Sequence, residues 1–136
     1  MKRMLSLCIA LVAMFAMVSC AGNARFEKLN GEWSVVSVGE LLVPETVDAF
    51  MGFDVAEQLV YGSTGCNHLT GALPTEVAPS TPLFSAMGST RMLCADMTVE
   101  DAMLPALASV VDFKFAGNNL YFLNADGSAV MALVKR

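Results

Sequence analysis

The residues of this chain best suited to chemistry lie in one ten-residue stretch, Gly62 to Gly71, which reads G-S-T-G-C-N-H-L-T-G. It contains three glycines, Cys66 and the only histidine of the chain, His68. Because side chains two positions apart on a strand point to the same face, Cys66 and His68 would lie together. Cys94 and Asp96 repeat that spacing. If the two segments met, this Cys-His-Cys-Asp set could hold zinc.

Three kinds of chemistry nevertheless fit the stretch poorly. A Cys66–His68 nucleophile pair would need a third group to orient the histidine, and the sequence shows none. The glycine spacing matches neither G-x-x-x-x-G-K-[ST] nor G-x-G-x-x-G, so a phosphate cradle is disfavoured. The zinc set has a spacing unlike that of known zinc sites. We therefore predict no catalytic, cofactor-binding or metal-binding residues, and we interpret His68 as a hydrogen-bonded surface residue and Asn67 as a turn residue.

The N-terminal segment indicates the compartment in which this stretch would function. Lys2 and Arg3 precede Met4 to Val18, a run of 15 residues without charge that is rich in Leu, Met, Val and Ala. The run is shorter than the roughly 20 residues that a membrane span needs. Its position and flanks predict a secretory signal peptide over residues 1–19, rather than a buried helix.

The end of this run resembles a bacterial lipobox. It reads M-V-S-C, with the small Ser19 before Cys20. We predict lipidation of Cys20 and a tether over residues 20–28, with simple secretion as the alternative. Because one acyl chain binds a bilayer only marginally, two or three chains would hold the protein there. The expected location is the bacterial cell envelope, with the outer membrane favoured.

The charge of the mature chain excludes some partners. Without Lys2 and Arg3, six basic residues remain against 13 acidic ones, for a net charge of −7. Nucleic-acid binding needs a basic face, so we predict no nucleic-acid partner. Adhesion to anionic lipid by charge is disfavoured for the same reason. The remaining residues, 29–136, are enough for one domain with its own core.

Two cysteines remain for the folded domain if Cys8 leaves with the signal peptide and Cys20 is acylated. Outside the cytoplasm, Cys66 and Cys94 would most simply form a disulfide. The loop that it closes predicts a stabilisation of about 3–4 kcal/mol. Two buried, unbridged thiols that pack as small apolar groups are the alternative.

Short strands dominate the elements that must position these residues. In the first strand, alternation predicts Trp33, Val35 and Ser37 on one face and Ser34, Val36 and Val38 on the other, and Trp33 is predicted to anchor the core. Three prolines within residues 74–82 predict a loop, and Gly88-Ser89 is predicted to break a strand. Strand-like runs are Gly31–Val38, Leu41–Val43, Ala49–Asp54, Gln58–Tyr61, Leu69–Leu73, Leu83–Met87, Val111–Ala116, Leu120–Leu123 and Ala129–Val134.

One helix interrupts the strands. It is predicted to begin at Thr98 as N-cap, with Asp101 as its capping-box partner, and Pro105 should kink or interrupt it. Apolar residues at helical spacing predict a face that packs on the core, formed by Val99, Met103, Leu107 and Val110 or Val111. Strands, one helix and more strands predict a mainly β (α+β) fold. We expect an antiparallel meander that is rolled or partly closed into a barrel and packed on the helix.

The motifs together resemble the META domain family, the family of the HslJ heat-shock lipoprotein. The resemblance rests on G-C-N with a later glycine, T-R-M-L-C, the short helix, a strand pair with G-N-N-L, and the early G-x-W at Gly31 to Trp33. It spans about Leu29 to Lys135. Leu93 replaces the usual alanine, and Ala72-Leu73 stands where the family pattern is aromatic.

The resemblance implies a small β-rich fold with one helix, residence in the cell envelope, and loose links to stress tolerance, secretion or motility. The family has no agreed catalytic residues, so none are carried over. The positions that match its motif, all read as structural, are Gly65, Cys66, Asn67, Gly71, Thr90, Met92 and Cys94.

These observations lead to three functional hypotheses. The first is a lipid-anchored, non-enzymatic accessory protein of the envelope, whose partners are the membrane and another envelope protein. The second is a carrier of a small apolar ligand, such as a lipid, held between sheet and helix. The third is a metal or redox site at Cys66, His68, Cys94 and Asp96.

Overall fold

The computed structural model describes residues 20–136, with side chains from Ala24 onward. The predicted signal peptide, residues 1–19, and the predicted lipidation of the Cys20 side chain lie outside what is described. The described residues form two helices, α1 (Cys20–Glu27) and α2 (Thr98–Ser109). The strands are β1 (Gly31–Val38), β2 (Leu41–Leu42), β3 (Ala49–Asp54), β4 (Leu59–Thr64), β5 (His68–Ala72), β6 (Ser85–Ser89), β7 (Asp112–Ala116), β8 (Asn119–Leu123) and β9 (Ala129–Lys135).

All the strands belong to one antiparallel sheet, in the order β6-β5-β4-β3-β1-β9-β8-β7, with the short β2 paired to β1. Two meanders, β3 to β6 and β7 to β9, meet where β9 pairs with β1, with Trp33 opposite Lys135. The sheet curls into a half-barrel, and α2 packs on it through contacts with β1, β4 and β9. The predicted fold class is therefore confirmed.

The core lies between the sheet and α2. Val99, Met103 and Leu107 of α2 are buried, as their helical spacing predicted. Trp33 is 5 % exposed, and its indole N–H donates to the carbonyl of Leu29 at 2.7 Å, which confirms it as a core anchor. An aromatic cluster joins Phe53 and Phe122 of the sheet to Phe84, which lies just before β6.

Helix α1 corrects the prediction that residues 20–28 are a tether. Phe26 is 4 % exposed and packs edge-to-face on Phe113, with ring centroids 5.1 Å apart. Arg25 pairs with Asp112, and its guanidinium lies 4.1 Å from the centre of the Phe113 ring. The prediction failed because it relied on an apolar period, whereas one buried aromatic side chain is enough to fix a short helix. The folded body therefore begins before Leu29.

Strand β1 has the predicted bounds but not the predicted alternation. Its register with β9 shifts between Val35 and Ser37. An extra residue of this kind moves the following side chains to the other face. Val38 is consequently buried, although the simple alternation placed it opposite Trp33.

Two further local predictions were wrong, and a third was wrong in part. Gly88 lies inside β6 and does not end it, since the glycine pairs with Thr70 of β5. Thr98 is not the N-cap of α2; instead, the Asp96 carboxylate accepts the backbone N–H of Thr98 at 2.9 Å. The interruption predicted as one outcome at Pro105 does not occur, since α2 continues to Ser109. Pro105 and Asp101 lie on the exposed side, where water can satisfy the freed carbonyl.

Candidate functional site

The tight turn between β4 and β5 places Cys66 beside Cys94. Gly65 has φ of +90°, a left-handed conformation that favours glycine, and the Val47 side chain occupies the space that a Cβ would need. Cys66 and Cys94 form a disulfide with Cα atoms 6.0 Å apart. This bond fastens the turn to the extended segment of residues 90–97 that leads into α2.

The side chain of Asn67 forms the second link between the turn and that segment. Asn67 is 2 % exposed. Its carbonyl oxygen accepts the N–H of Met92 at 2.6 Å and the hydroxyl of Thr90 at 2.9 Å. Its amide nitrogen donates to the carbonyl of Met92 at 3.1 Å and to both carboxylate oxygens of Glu100, at 2.8 and 2.9 Å. Asn67 therefore joins the turn, the extended segment and the first turn of α2.

Glu100 is a site residue that sequence reasoning missed. It is 4 % exposed, and Thr64 donates its hydroxyl to Oε1 of Glu100 at 3.2 Å. The first turn of a helix favours a negative charge, which helps to accommodate a buried carboxylate there. The sequence did contain a signal for its burial. Glu100 precedes Met103 by three residues and Leu107 by seven, a spacing that places all three on the same face of the helix. We call Thr64, Asn67, Thr90, Met92 and Glu100 the Asn67 cluster.

The Asn67 cluster has its polar atoms occupied by its own members. Across residues 24–136, every buried side-chain nitrogen or oxygen has a hydrogen-bond partner within the protein. A carboxylate held by Asn67 and Thr64 therefore has its hydrogen-bonding geometry set by the fold. The arrangement suits a structural link between the β4–β5 turn and α2 rather than a catalytic centre.

The metal or redox alternative is not supported by the described residues. Cys66 and Cys94 are bonded to each other, so neither offers a thiolate to a metal. His68 is exposed on β5, where its backbone N–H donates to Thr90 at 3.0 Å. The pKa of Asp96 lies below its usual range because the side chain and the backbone of Thr98 both hydrogen-bond to it. Within the described part of the chain, no group of three or more Cys, His, Asp or Glu residues could hold a metal ion.

Gly71 shapes the edge of the sheet. A Cβ on Gly71 would overlap the sulfur atom of Met87, so the glycine allows Met87 to lie against β5. The register between β5 and β6 shifts at this point, and Ala86 adopts a left-handed φ of +50°. Non-glycine residues in this conformation are strained, and such strain often marks a ligand clamp.

A cleft of about 520 Å³ opens beside Met87, between β6 and α2. Among the described residues that line it, only Arg91 is charged. Its apolar lining comes from the sheet side and from α2. The lining residues are Leu69, Pro82, Phe84, Met87, Gly88, Ser89, Arg91, Leu104, Leu107 and Ala108. We call it the β6–α2 cleft.

A second groove of about 390 Å³ adjoins the β6–α2 cleft and shares Ser89, Arg91 and Leu104 with it. Two large apolar side chains border this groove and face solvent, Met92 at 53 % and Leu93 at 91 % exposure. Sequence reasoning placed an apolar site between sheet and helix in general terms, but it named none of these residues.

Comparisons with known proteins identify the family and the fold. The sequence model of the META domain matches residues 25–136. No curated protein matches the chain. A search for helices able to cross a membrane finds none that is long and apolar enough within the described residues.

Two solved structures share the fold at low sequence identity. One is the NMR structure of a protein from Burkholderia xenovorans, with 16 % identity and a TM-score of 0.64, covering 84 % of this chain and 88 % of that one. The other is the crystal structure of a DUF4847 family protein from Bacteroides vulgatus, with 11 % identity and a TM-score of 0.55, covering 83 % and 97 %. At these identities the likeness shows the fold alone.

The family match includes all nine strands, α2 and the β6–α2 cleft. It begins at Arg25 in α1, which agrees with the packing of that helix on the sheet, and it extends through the disulfide, the Asn67 cluster and β9. It covers 112 of the 136 residues. This chain therefore belongs to the META domain family.

Proposed function

We propose that this META domain protein is a non-enzymatic accessory of the bacterial cell envelope, held at a membrane by acyl chains on Cys20 and acting in envelope integrity or stress tolerance. The observation that carries the proposal is the Asn67 cluster. The residues that match the family motif bind one another, and Asn67 alone makes five side-chain hydrogen bonds. Because these motif residues already hydrogen-bond to one another, we interpret the motif as stabilising the fold.

Two features support the envelope as the location. The Cys66–Cys94 disulfide suits an oxidising compartment, because thiols stay reduced in the cytoplasm. The apolar run that ends at Ser19-Cys20 matches the pattern of a lipoprotein signal peptide. Two acyl chains at that cysteine would make anchoring stable.

Fractionation and intact-mass measurement test the anchoring. The full chain is produced in a Gram-negative bacterium. We expect the product to begin at Cys20, to carry acyl groups and to sediment with membranes, and to gain the mass of two hydrogen atoms on reduction. Cys20→Ser should release the protein from the membrane fraction, whereas Cys8→Ser is the matched control and should not. Unmodified wild-type protein in the soluble fraction would contradict the anchoring.

A phenotype tests the accessory function. A strain that lacks the gene should become more sensitive to detergents that disturb the envelope. Expression of the full chain should restore resistance, and expression of Cys20→Ser should not. Equal rescue by both proteins would contradict a role at the membrane.

A second candidate function is the binding of a small apolar ligand, and the β6–α2 cleft favours it. Its volume of about 520 Å³ lies within the roughly 300–1,000 Å³ that is typical of small-molecule sites. Leu69, Phe84 and Leu107 supply buried apolar walls, as such sites usually require. The presence of this cleft favours ligand binding over a purely structural role.

Native mass spectrometry of protein purified from a lipid-rich host tests this candidate. Ala108 is exposed and lines the cleft, so Ala108→Phe should fill the cleft and abolish the ligand adduct. Ser109, the next residue of α2, is also exposed but does not line the cleft, and Ser109→Phe is the matched control. Detection of the bare protein mass alone, in all three proteins, would rule out the candidate.

A further inference from the structure

We propose that the β6–α2 cleft binds an amphiphile with a single acyl chain and an anionic headgroup, with the chain in the cleft and the headgroup on Arg91. The proposal rests on the second candidate function above and adds the class and the orientation of the ligand.

The lining of the cleft gives the orientation. Among the lining residues in the described part of the chain, Arg91 is the only charged one. Phe84 and Leu107, which are almost fully buried, form apolar walls. An apolar chain can therefore lie against these walls. The polar part of the ligand must then remain beside Arg91.

The volume of the cleft limits the ligand to one chain. A methylene group occupies about the 30 Å³ of a water molecule in the liquid. A cleft of about 520 Å³ consequently has room for roughly 17 methylenes, which is one acyl chain rather than the two of a phospholipid.

Arg91 supplies the charge complementarity. Of the three arginines in the described residues, Arg25 and Arg136 pair with carboxylates, whereas Arg91 has no carboxylate within 4.0 Å among residues 24–136. A guanidinium presents a planar pair of donors that matches a carboxylate or a phosphate. Arg91 is thus available to the headgroup of a ligand in the cleft.

Met87 and its surroundings allow the wall to adapt. The Met87 side chain lies over Gly71, next to the left-handed residue Ala86. Unbranched methionine adjusts to apolar ligands of different shape. Beyond the opening, the exposed side chains of Met92 and Leu93 can cover the part of a chain that projects from the cleft.

Titration with probes that differ in headgroup tests the proposal. The probes are decanoate, decanol and decyltrimethylammonium, and the protein is the full chain carrying Cys20→Ala, so that no attached acyl group competes. Calorimetry gives the dissociation constants, and the NMR signals of the Met87 and Leu107 methyl groups report the site. We expect decanoate to bind about fivefold more tightly than decanol, the factor that corresponds to ~1 kcal/mol for one partly exposed ion pair. Decyltrimethylammonium should bind most weakly.

Charge variants identify the headgroup site. Arg91→Gln should remove the preference for decanoate, and Arg91→Lys should keep part of it. Lys114→Gln, which removes a positive charge from β7 at the other edge of the sheet, is the matched control and should leave the preference unchanged. Because Arg91 is exposed, its replacement should not disturb the fold, and an unchanged signal from the buried Met103 verifies this.

The possible failures separate the two proposals. Equal affinity for decanoate and decanol in the parent protein would overturn the headgroup assignment and leave an apolar site in place. The same holds if Arg91→Gln keeps the preference for decanoate. If no probe shifts the Met87 and Leu107 signals, both the ligand class and the second candidate function fail.

Discussion

The buried amide of Asn67 connects parts of the chain that are distant in sequence. It bonds to Thr90 and Met92 in the extended segment and to Glu100 in α2. The sequence suggested only that Asn67 shapes a turn, whereas the structure shows that its buried side chain is the centre of the Asn67 cluster.

Asn67→Ala should therefore lower the free energy of unfolding by about 2–4 kcal/mol, because the Glu100 carboxylate and the Met92 backbone would remain buried without their partner. Urea denaturation followed by circular dichroism measures the change. Asn118→Ala, in the exposed turn between β7 and β8, is the control and should change stability by less than about 0.5 kcal/mol. A loss at Asn67 no larger than at Asn118 would contradict the structural reading of the cluster.

Asp96 gives a prediction that depends on pH. Hydrogen bonds from the side chain and backbone of Thr98 lower the pKa of Asp96 from 3.8. A carboxyl group whose folded-state pKa is lowered stabilises the fold above its unfolded-state pKa, and the effect disappears as pH falls through the folded value. Asp96→Asn should therefore reduce thermal stability at pH 7, and the difference from wild type should shrink below about pH 4.

Thermal unfolding across this pH range measures the difference for Asp96→Asn. The control is Asp126→Asn, in the exposed turn before β9, and it should show no comparable trend. A deficit for Asp96→Asn that stayed constant down to pH 2 would show that the charge of Asp96 is not responsible.

At the scale of elements, the disulfide and the glycines decide how neighbouring segments meet. The Cys66–Cys94 bond spans 28 positions of sequence and holds the β4–β5 turn against the segment before α2. Replacing both cysteines by alanine should destabilise the domain by about 3–4 kcal/mol, mainly by freeing the unfolded chain. Urea midpoints with and without reductant test this, since the double variant must be insensitive to reductant. An equal response of both proteins would mean that the bond does not form.

Gly71 gives an element-scale prediction for the edge of the sheet. Gly71→Ala should destabilise the domain by about 1–3 kcal/mol, because the new methyl group must displace Met87. At Gly88, a Cβ meets only the Thr70 hydroxyl at 3.6 Å, so Gly88→Ala should be nearly neutral. Amide hydrogen exchange should show faster opening of β6 in the first variant and not in the second. Equal protection of β6 in both would contradict the role of Gly71.

At the scale of the molecule, the two meanders form one sheet because β9 pairs with β1. Helix α1 then covers the β7 side through Phe26 and Arg25. Phe26→Ala should cost about 3–5 kcal/mol, as the loss of a buried aromatic side chain usually does. A chain that begins at Leu29 should be similarly destabilised, and one that begins at Ala21 should not. Denaturant unfolding distinguishes them, and equal stability of all three would restore the tether interpretation.

Local patterns in the sequence predicted most of the elements correctly. Short apolar runs bounded by turn residues predicted β1 and β3 with their bounds, and helical spacing predicted the buried face of α2. These predictions succeed because each depends on composition and spacing within a single element. The bulge in β1 and the helix that contains Phe26 were not predicted, because each depends on contacts with a neighbouring element.

The sequence by itself determined the strands, the single long helix of the described residues, the acidic charge and the family resemblance. Only the tertiary structure decided that Glu100 belongs with Asn67, 33 positions away, and that a cleft opens between β6 and α2. The physical reason is that side-chain partners and cavities arise where distant segments pack together. No local pattern records the distance or the angle at which they do so.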